Sequence, residues 1–228
     1  MKTVGILGGF GPETTAKFYI SIINKNRGLK RLSHPNILIH NAPVPFKLEE
    51  DAVKNAKNID KILPFLINGI RDLQDKVEFI VIPCNTVHIF IKELRKESKV
   101  PVISIIEETV NKIKSKQFKR VGLLATPKTI KERLFDEKLR EIGVKLVRPN
   151  KINQKMISKL IQWLLKGHKT AKMNLEFSKV VKNLQKAGVE AIILGCTDLQ
   201  LLNRNGFSIE LIDTLDVLAD STVKALVN

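Results

Sequence analysis

Phe79-Ile80-Val81-Ile82-Pro83-Cys84-Asn85-Thr86 and Ala191-Ile192-Ile193-Leu194-Gly195-Cys196-Thr197 are two versions of one pattern, a short apolar run that ends on a cysteine. A continuous aliphatic run of this kind, closed by a turn, reads as a strand buried on both faces, as in parallel sheets. Upstream of each lies a matched strand start, Val4-Gly5-Ile6-Leu7 and Val121-Gly122-Leu123-Leu124. From Gly5 to Cys84 is about 79 positions and from Gly122 to Cys196 about 74, so the chain reads as two copies of one unit.

Outward from these segments, β-branched and aliphatic runs mark strands at Thr3–Leu7, Asn36–His40, Glu78–Ile82, Val100–Ser104, Arg120–Ala125, Val144–Val147, Glu190–Leu194 and Ser208–Ile212. Amphipathic stretches between them read as helices at Pro12–Asn26, Glu50–Leu73, Thr86–Glu97, Ile106–Lys116, Ile130–Glu141, Gln154–Lys166, Thr170–Lys186 and Leu215–Val227. This alternation predicts an α/β fold of two pseudosymmetric, Rossmann-like units on parallel sheets. The expected division is 1–112 plus 208–228 for the unit carrying Cys84, and 113–207 for the unit carrying Cys196. Open α/β sheets bind ligands beyond the carboxyl ends of their strands, so both cysteines are expected in one cleft between the units.

With 228 residues and 43% apolar content, the chain can bury a full core. It has no apolar run of membrane-spanning length, and its start, MKTVGILGGFGP, reaches glycines too early for a signal-peptide core. A cytoplasmic protein is expected. Two cysteines are too few for a disulfide framework, and His34, His40, His88 and His168 show no metal-ligand spacing, so no metal is assigned. The 39 Lys+Arg against 23 Asp+Glu give a net charge of +16, which raises the question of a nucleic-acid partner. Against that class, the lysines are spread through nearly every helical stretch, and Trp163 and Tyr19 are the only aromatics besides phenylalanine. A solvated basic surface is the better reading, and salt-sensitive binding to DNA or RNA would reverse it.

A lone cysteine at a strand end is usually a small core residue. Two at equivalent positions of a repeated unit, in a chain with no others, point to function. Each precedes residues able to cap a helix, where the helix dipole and free N–H groups favour a thiolate. A disulfide between them is disfavoured in a reducing cytosol. Facing thiols suit inversion at the α-carbon of an amino acid, since one removes a proton from one face while the other delivers a proton to the opposite face. The resulting carbanion needs N–H groups and cations placed around its carboxylate.

Gly8-Gly9-Phe10-Gly11 follows a strand and opens a helix at Pro12, but its spacing fits neither the dinucleotide nor the Walker signature. It reads as a tight turn whose N–H groups hold a substrate carboxylate.

In these residues the chain resembles the aspartate racemases of the aspartate/glutamate racemase superfamily. The matching segments are Gly5-Ile6-Leu7-Gly8-Gly9-Phe10-Gly11-Pro12-Glu13-Thr14-Thr15, Pro83-Cys84-Asn85-Thr86-Val87-His88, Ile103-Ser104-Ile105-Ile106-Glu107-Glu108-Thr109, Gly122-Leu123-Leu124-Ala125-Thr126, Leu194-Gly195-Cys196-Thr197-Asp198 and Leu211-Ile212-Asp213. The resemblance implies a two-domain pseudosymmetric fold with the site between the domains, no pyridoxal phosphate or other cofactor, and often a homodimer. It carries the catalytic pair onto Cys84 and Cys196 and substrate contacts onto Phe10, Asn85, Thr86, Thr126 and Thr197. It also implies that Lys166, in Leu164-Leu165-Lys166-Gly167-His168, holds the substrate's side-chain carboxylate, with Lys47 where many members have arginine. From spacing alone Lys166 reads as solvated, among Lys155, Lys159, Lys169 and Lys172.

Three departures from the family pattern stand out. Phe10 replaces the commoner methionine, Asp198 replaces the commoner glutamate, and Lys47 offers a point charge instead of a two-pronged guanidinium. The implied partner is a small dicarboxylic amino acid, with aspartate expected. Glutamate, a broader substrate range, and a related dicarboxylate isomerase or decarboxylase stay open, although a one-thiol decarboxylase would need only one cysteine.

Overall fold

The computed structural model describes residues 2–29, 33–55 and 58–227. Along the first half run β1 (Thr3–Gly8), α1 (Pro12–Gly28), β2 (Asn36–Asn41), α2 (Phe46–Asn55), α3 (Leu63–Gln74), β3 (Phe79–Val81), α4 (Ile91–Glu97), β4 (Val102–Ile103) and α5 (Ile105–Ser115). The second half follows with β5 (Arg120–Ala125), α6 (Pro127–Lys131), α7 (Asp136–Glu141), β6 (Lys145–Val147), α8 (Lys151–Leu165), α9 (Ala171–Lys186), β7 (Ala191–Gly195), β8 (Glu210–Asp213) and α10 (Thr214–Ala225). Short 3-10 turns lie at Ile59–Ile62, Thr86–Phe90 and Thr197–Leu201.

The strands form two four-stranded parallel sheets with matching order, β2-β1-β3-β4 and β6-β5-β7-β8. The expected α/β architecture of two equivalent units is the one observed. The period-2 geometry of a strand sorts each apolar run into two layers. From β1, β3, β5 and β7, the side chains of Val4, Ile6, Phe79, Val81, Val121, Leu123, Ala191 and Ile193 enter one core shared by both units. The intervening Leu7, Ile80 and Ile82 pack outward against α3, and Leu124, Ile192 and Leu194 pack against α8 and α9. Both faces of each sheet are therefore dry, which is why the central strands carry no polar alternation.

Helix ends follow local chemistry. Ser104, Asn150, Thr170 and Asp213 each accept a hydrogen bond from a backbone N–H in the first turn of α5, α8, α9 and α10. Three expected helices are broken, among them Thr86–Glu97, which runs as a 3-10 turn to Phe90 before α4. Glu50–Leu73 divides into α2, a 3-10 turn and α3, with Asn58 in the left-handed region (φ 55°); positions 56 and 57 lie outside the described residues. Ile130–Glu141 breaks between α6 and α7, with Arg133 left-handed at φ 53°.

The grouping of 208–228 with the first unit needs correction. β8 hydrogen-bonds to β7, with Ile193 beside Ile212, so this strand extends the second sheet. Only α10 returns to pack against α1 and α5. β8 thus stands beside β7 as β4 stands beside β3, completing the matching strand order of the two sheets.

Candidate active site

Cys84 follows the end of β3, beyond Ile82-Pro83, and its backbone is fixed from two sides. Its N–H donates to the Ile82 carbonyl at 2.9 Å, and its carbonyl lies 2.7 Å from Nδ1 of His88. The other ring nitrogen, Nε2, accepts from the Ile105 N–H at 3.2 Å, so the proton of the neutral imidazole sits on Nδ1 and is donated to Cys84. Burial drives His88 down to about 4, which keeps it neutral in this role. Cys196 occupies the equivalent place after β7 and is 7% exposed.

Both thiols line one cavity between the units, together with Phe10, Asn85, Thr86, Thr126 and Thr197. Its open space is about 30 Å³, close to one water's share of liquid volume. Glu49 and Leu165 also line two further spaces that adjoin it. The cavity walls are otherwise apolar and acidic, from Ala52, Ile59, Ile62, Leu165, Glu49 and Asp198. Among the described residues no lysine, arginine or histidine lines it.

The electrostatics correct one expectation. Asn85 does not cap the following helix with its side chain, and each cysteine opens only a short 3-10 turn. Burial dominates: it pushes the Cys84 thiol up to about 12, although the N–H groups of Thr86 and Val87 pull the other way. Cys196 is likewise raised, by burial first and then by the charge of Asp198, whose Oδ2 lies 3.7 Å from its sulfur. A negative charge on Cys84 raises Cys196 further, so the two thiols feel each other.

Polar side chains cross the cleft in pairs. Thr86 of the first unit meets Thr126 and Thr129 of the second at 3.0 and 3.2 Å, and Thr126 donates to Thr129 at 3.0 Å. Asn85 Nδ2 donates to Thr214 at 2.9 Å, leaving its buried Oδ1 without a hydrogen-bond partner in the protein. Thr14 donates to Asp198 at 2.8 Å. The glycine loop takes its left-handed turn at Gly9, φ 98°, where a Cβ would fall 2.4 Å from the Ala42 carbonyl oxygen. Its Gly11 N–H does hold a carboxylate, but a protein one: Glu49 Oε1 accepts from it at 2.7 Å. Burial, against that hydrogen bond, raises Glu49 to about 6.

Of the expected residues, the structure brings Cys84, Cys196, Phe10, Asn85, Thr86, Thr126 and Thr197 together. Lys47 and Lys166 stay apart from this cavity. The side chain of Lys47 is 81% exposed and lies 4.0 Å from Asp51, one helical turn on, because α2 turns this position to solvent. Lys166, at the end of α8, pairs across the cleft mouth with Glu50 at 3.1 Å. Sequence reasoning missed Glu49, Thr14, Thr129 and the positioning role of His88. His88 carried a signal, its place inside the Cys84 motif, and Thr14 another, its place inside the segment from Gly5 to Thr15.

Two four-stranded parallel units that bring one thiol each, from equivalent strand ends, to a single cavity define a two-unit α/β protein of the racemase type. The family model described as Asp/Glu/hydantoin racemase matches residues 7–222, and the chain belongs to that family. The broad specificity amino-acid racemase RacX of Bacillus subtilis (strain 168) is 27% identical over 230 residues, spanning 96% of each chain. Among solved structures, the Picrophilus torridus aspartate racemase is 26% identical, with a TM-score of 0.78 over 99% of this chain and 94% of that one. An aspartate racemase homologue from Pyrococcus horikoshii OT3 is 25% identical, with a TM-score of 0.81 over 100% of both chains.

Proposed function

We propose that this protein interconverts the enantiomers of an amino acid without a bound cofactor, Cys84 and Cys196 exchanging the roles of base and acid. The observation that carries this reading is that both thiols line one cavity from opposite units. One thiolate removes the α-proton, and the opposite thiol delivers its own proton to the other face; the reverse reaction swaps them. Asp198 sits where it can take the Cys196 proton, and its own affinity for a proton is raised by burial. Asn85 lines the same cavity, and the positive charge of the substrate ammonium favours the thiolate. Thr86, Thr126 and Thr197 offer hydroxyls and Phe10 a wall to the same ligand.

A second reading, aspartate as the substrate, is favoured by the likeness to the Picrophilus torridus protein of that name. It requires Lys166 to leave Glu50 and reach inward. Cytoplasmic location and a homodimer remain part of the proposal on the strength of the resemblance; no helix among the described residues is long and apolar enough to cross a membrane. The test is incubation of the purified protein with single L-amino acids in deuterated water, following Cα deuterium and the D-enantiomer. Both should appear without any addition, and a requirement for pyridoxal phosphate would overturn the mechanism.

A further inference from the structure

We infer that the side-chain subsite of this cleft accepts a cation, so that the protein acts on basic amino acids of the lysine and ornithine class in preference to dicarboxylates, with Glu49 as the specificity determinant. This rests on the racemase reading above. The chain as a whole carries a charge of +16, yet its cleft is acidic. Glu49 lines the thiol cavity and also the two spaces adjoining it. Together the three spaces are faced by Glu13, Glu49, Glu50 and Asp198, against Lys166 as the one cation among the described residues. That lysine already pairs with Glu50, and Glu13 pairs outward with Lys169 at 3.3 Å.

Glu49 is held by the Gly11 N–H, a fixed donor that orients the carboxylate without neutralising it. Asp198 is likewise oriented, by Thr14, next to Cys196 and hence next to the reacting carbon. A bound amino acid therefore meets both Asp198 and Glu49, which line the same cavity as the thiols. The walls around Glu49 are the apolar Ala52, Ile59, Ile62 and Leu165, which suit the methylene stem of a long side chain. A carboxylate end there faces like charges in a partly dehydrated site, whereas an ammonium end completes an ion pair.

The test compares L-lysine, L-leucine and L-aspartate by Cα deuterium uptake at pH 8, using wild type and Glu49→Gln. Glutamine keeps an oxygen for the Gly11 N–H and removes the charge. In wild type, kcat/KM for lysine should exceed that for aspartate by at least about tenfold, since a charged hydrogen-bonded pair discriminates on that scale. Glu49→Gln should lower the lysine-to-leucine ratio by about tenfold or more. Faster turnover of aspartate than of lysine, or a ratio unmoved by Glu49→Gln, overturns the inference and leaves the two-thiol reading standing. If Glu49→Gln fails to fold, the wild-type ranking alone decides. Absence of exchange with every amino acid overturns the racemase reading itself, and the inference with it.

Discussion

Thr14 on α1 donates a 2.8 Å hydrogen bond to Oδ1 of Asp198, whose other oxygen lies 3.7 Å from the Cys196 sulfur. A residue of the first unit thus holds the acid beside the thiol of the second. Thr14 is fully buried, and its bond opposes the burial that pushes Asp198 upward.

Thr14→Val keeps the shape of the side chain and deletes the donor. Leaving a buried carboxylate oxygen unpaired costs about 1–3 kcal/mol. The urea midpoint should fall accordingly, and turnover should drop because Asp198 protonates more readily. A midpoint and rate equal to wild type would show that Thr14 does not hold Asp198.

His88 ties stability to pH. Folded His88 takes its proton only near pH 4, against an ordinary value of 6.5, because burial penalises the charged ring. Between these values the unfolded chain binds more protons, so the group's contribution is complete above 6.5 and is lost as pH falls toward 4, by roughly 3 kcal/mol. Glu49, raised to about 6, works in the opposite sense over part of that window. The comparison is therefore with His88→Gln, which retains Glu49 and does not titrate. Urea unfolding at pH 7 and pH 5 should show the wild-type advantage shrinking at the lower pH, and a constant difference would contradict the assignment.

The thiols should be sluggish toward alkylation. With Cys84 pushed up to about 12 and Cys196 also raised, the thiolate fraction at neutral pH is small. Iodoacetamide should modify the folded protein at least ~100-fold more slowly than the protein in urea, with the rate rising about tenfold per pH unit. Activity should disappear in step with modification. Rapid, pH-independent labelling at pH 7 would mean that one cysteine rests as a thiolate.

Much of this fold was legible because parallel strands write themselves as short aliphatic runs. All eight expected strands overlap observed ones, and the runs ending at Cys84 and Cys196 identified the repeat. The helix breaks were not legible: Arg133 adopts left-handed backbone that its residue type does not announce, and Asn58, of a type that tolerates this conformation, is one of many asparagines in the chain. Nor did 208–228 reveal its split, since a strand chooses its sheet by the free edge it meets in space. In the site, residues inside the two cysteine motifs could be read from the chain, whereas Glu49 could not. It belongs to a Glu49-Glu50-Asp51 run that looks like a solvated helix face, and only the path of α2 across the glycine loop brings Glu49 into the thiol cavity. The same path turns Lys47 outward.

The central claim is that two thiols work on opposite faces of one α-carbon, and Cα exchange by the single variants Cys84→Ser and Cys196→Ser tests it most directly. Each variant, checked for native circular dichroism, is incubated in deuterated water with the L- and D-forms of the best substrate separately. The account predicts that racemisation falls by at least about a hundredfold in both. It also predicts that each variant still exchanges the α-proton of one enantiomer, and that the two variants act on opposite enantiomers. Retained racemisation in either variant, or exchange of the same enantiomer by both, would contradict it.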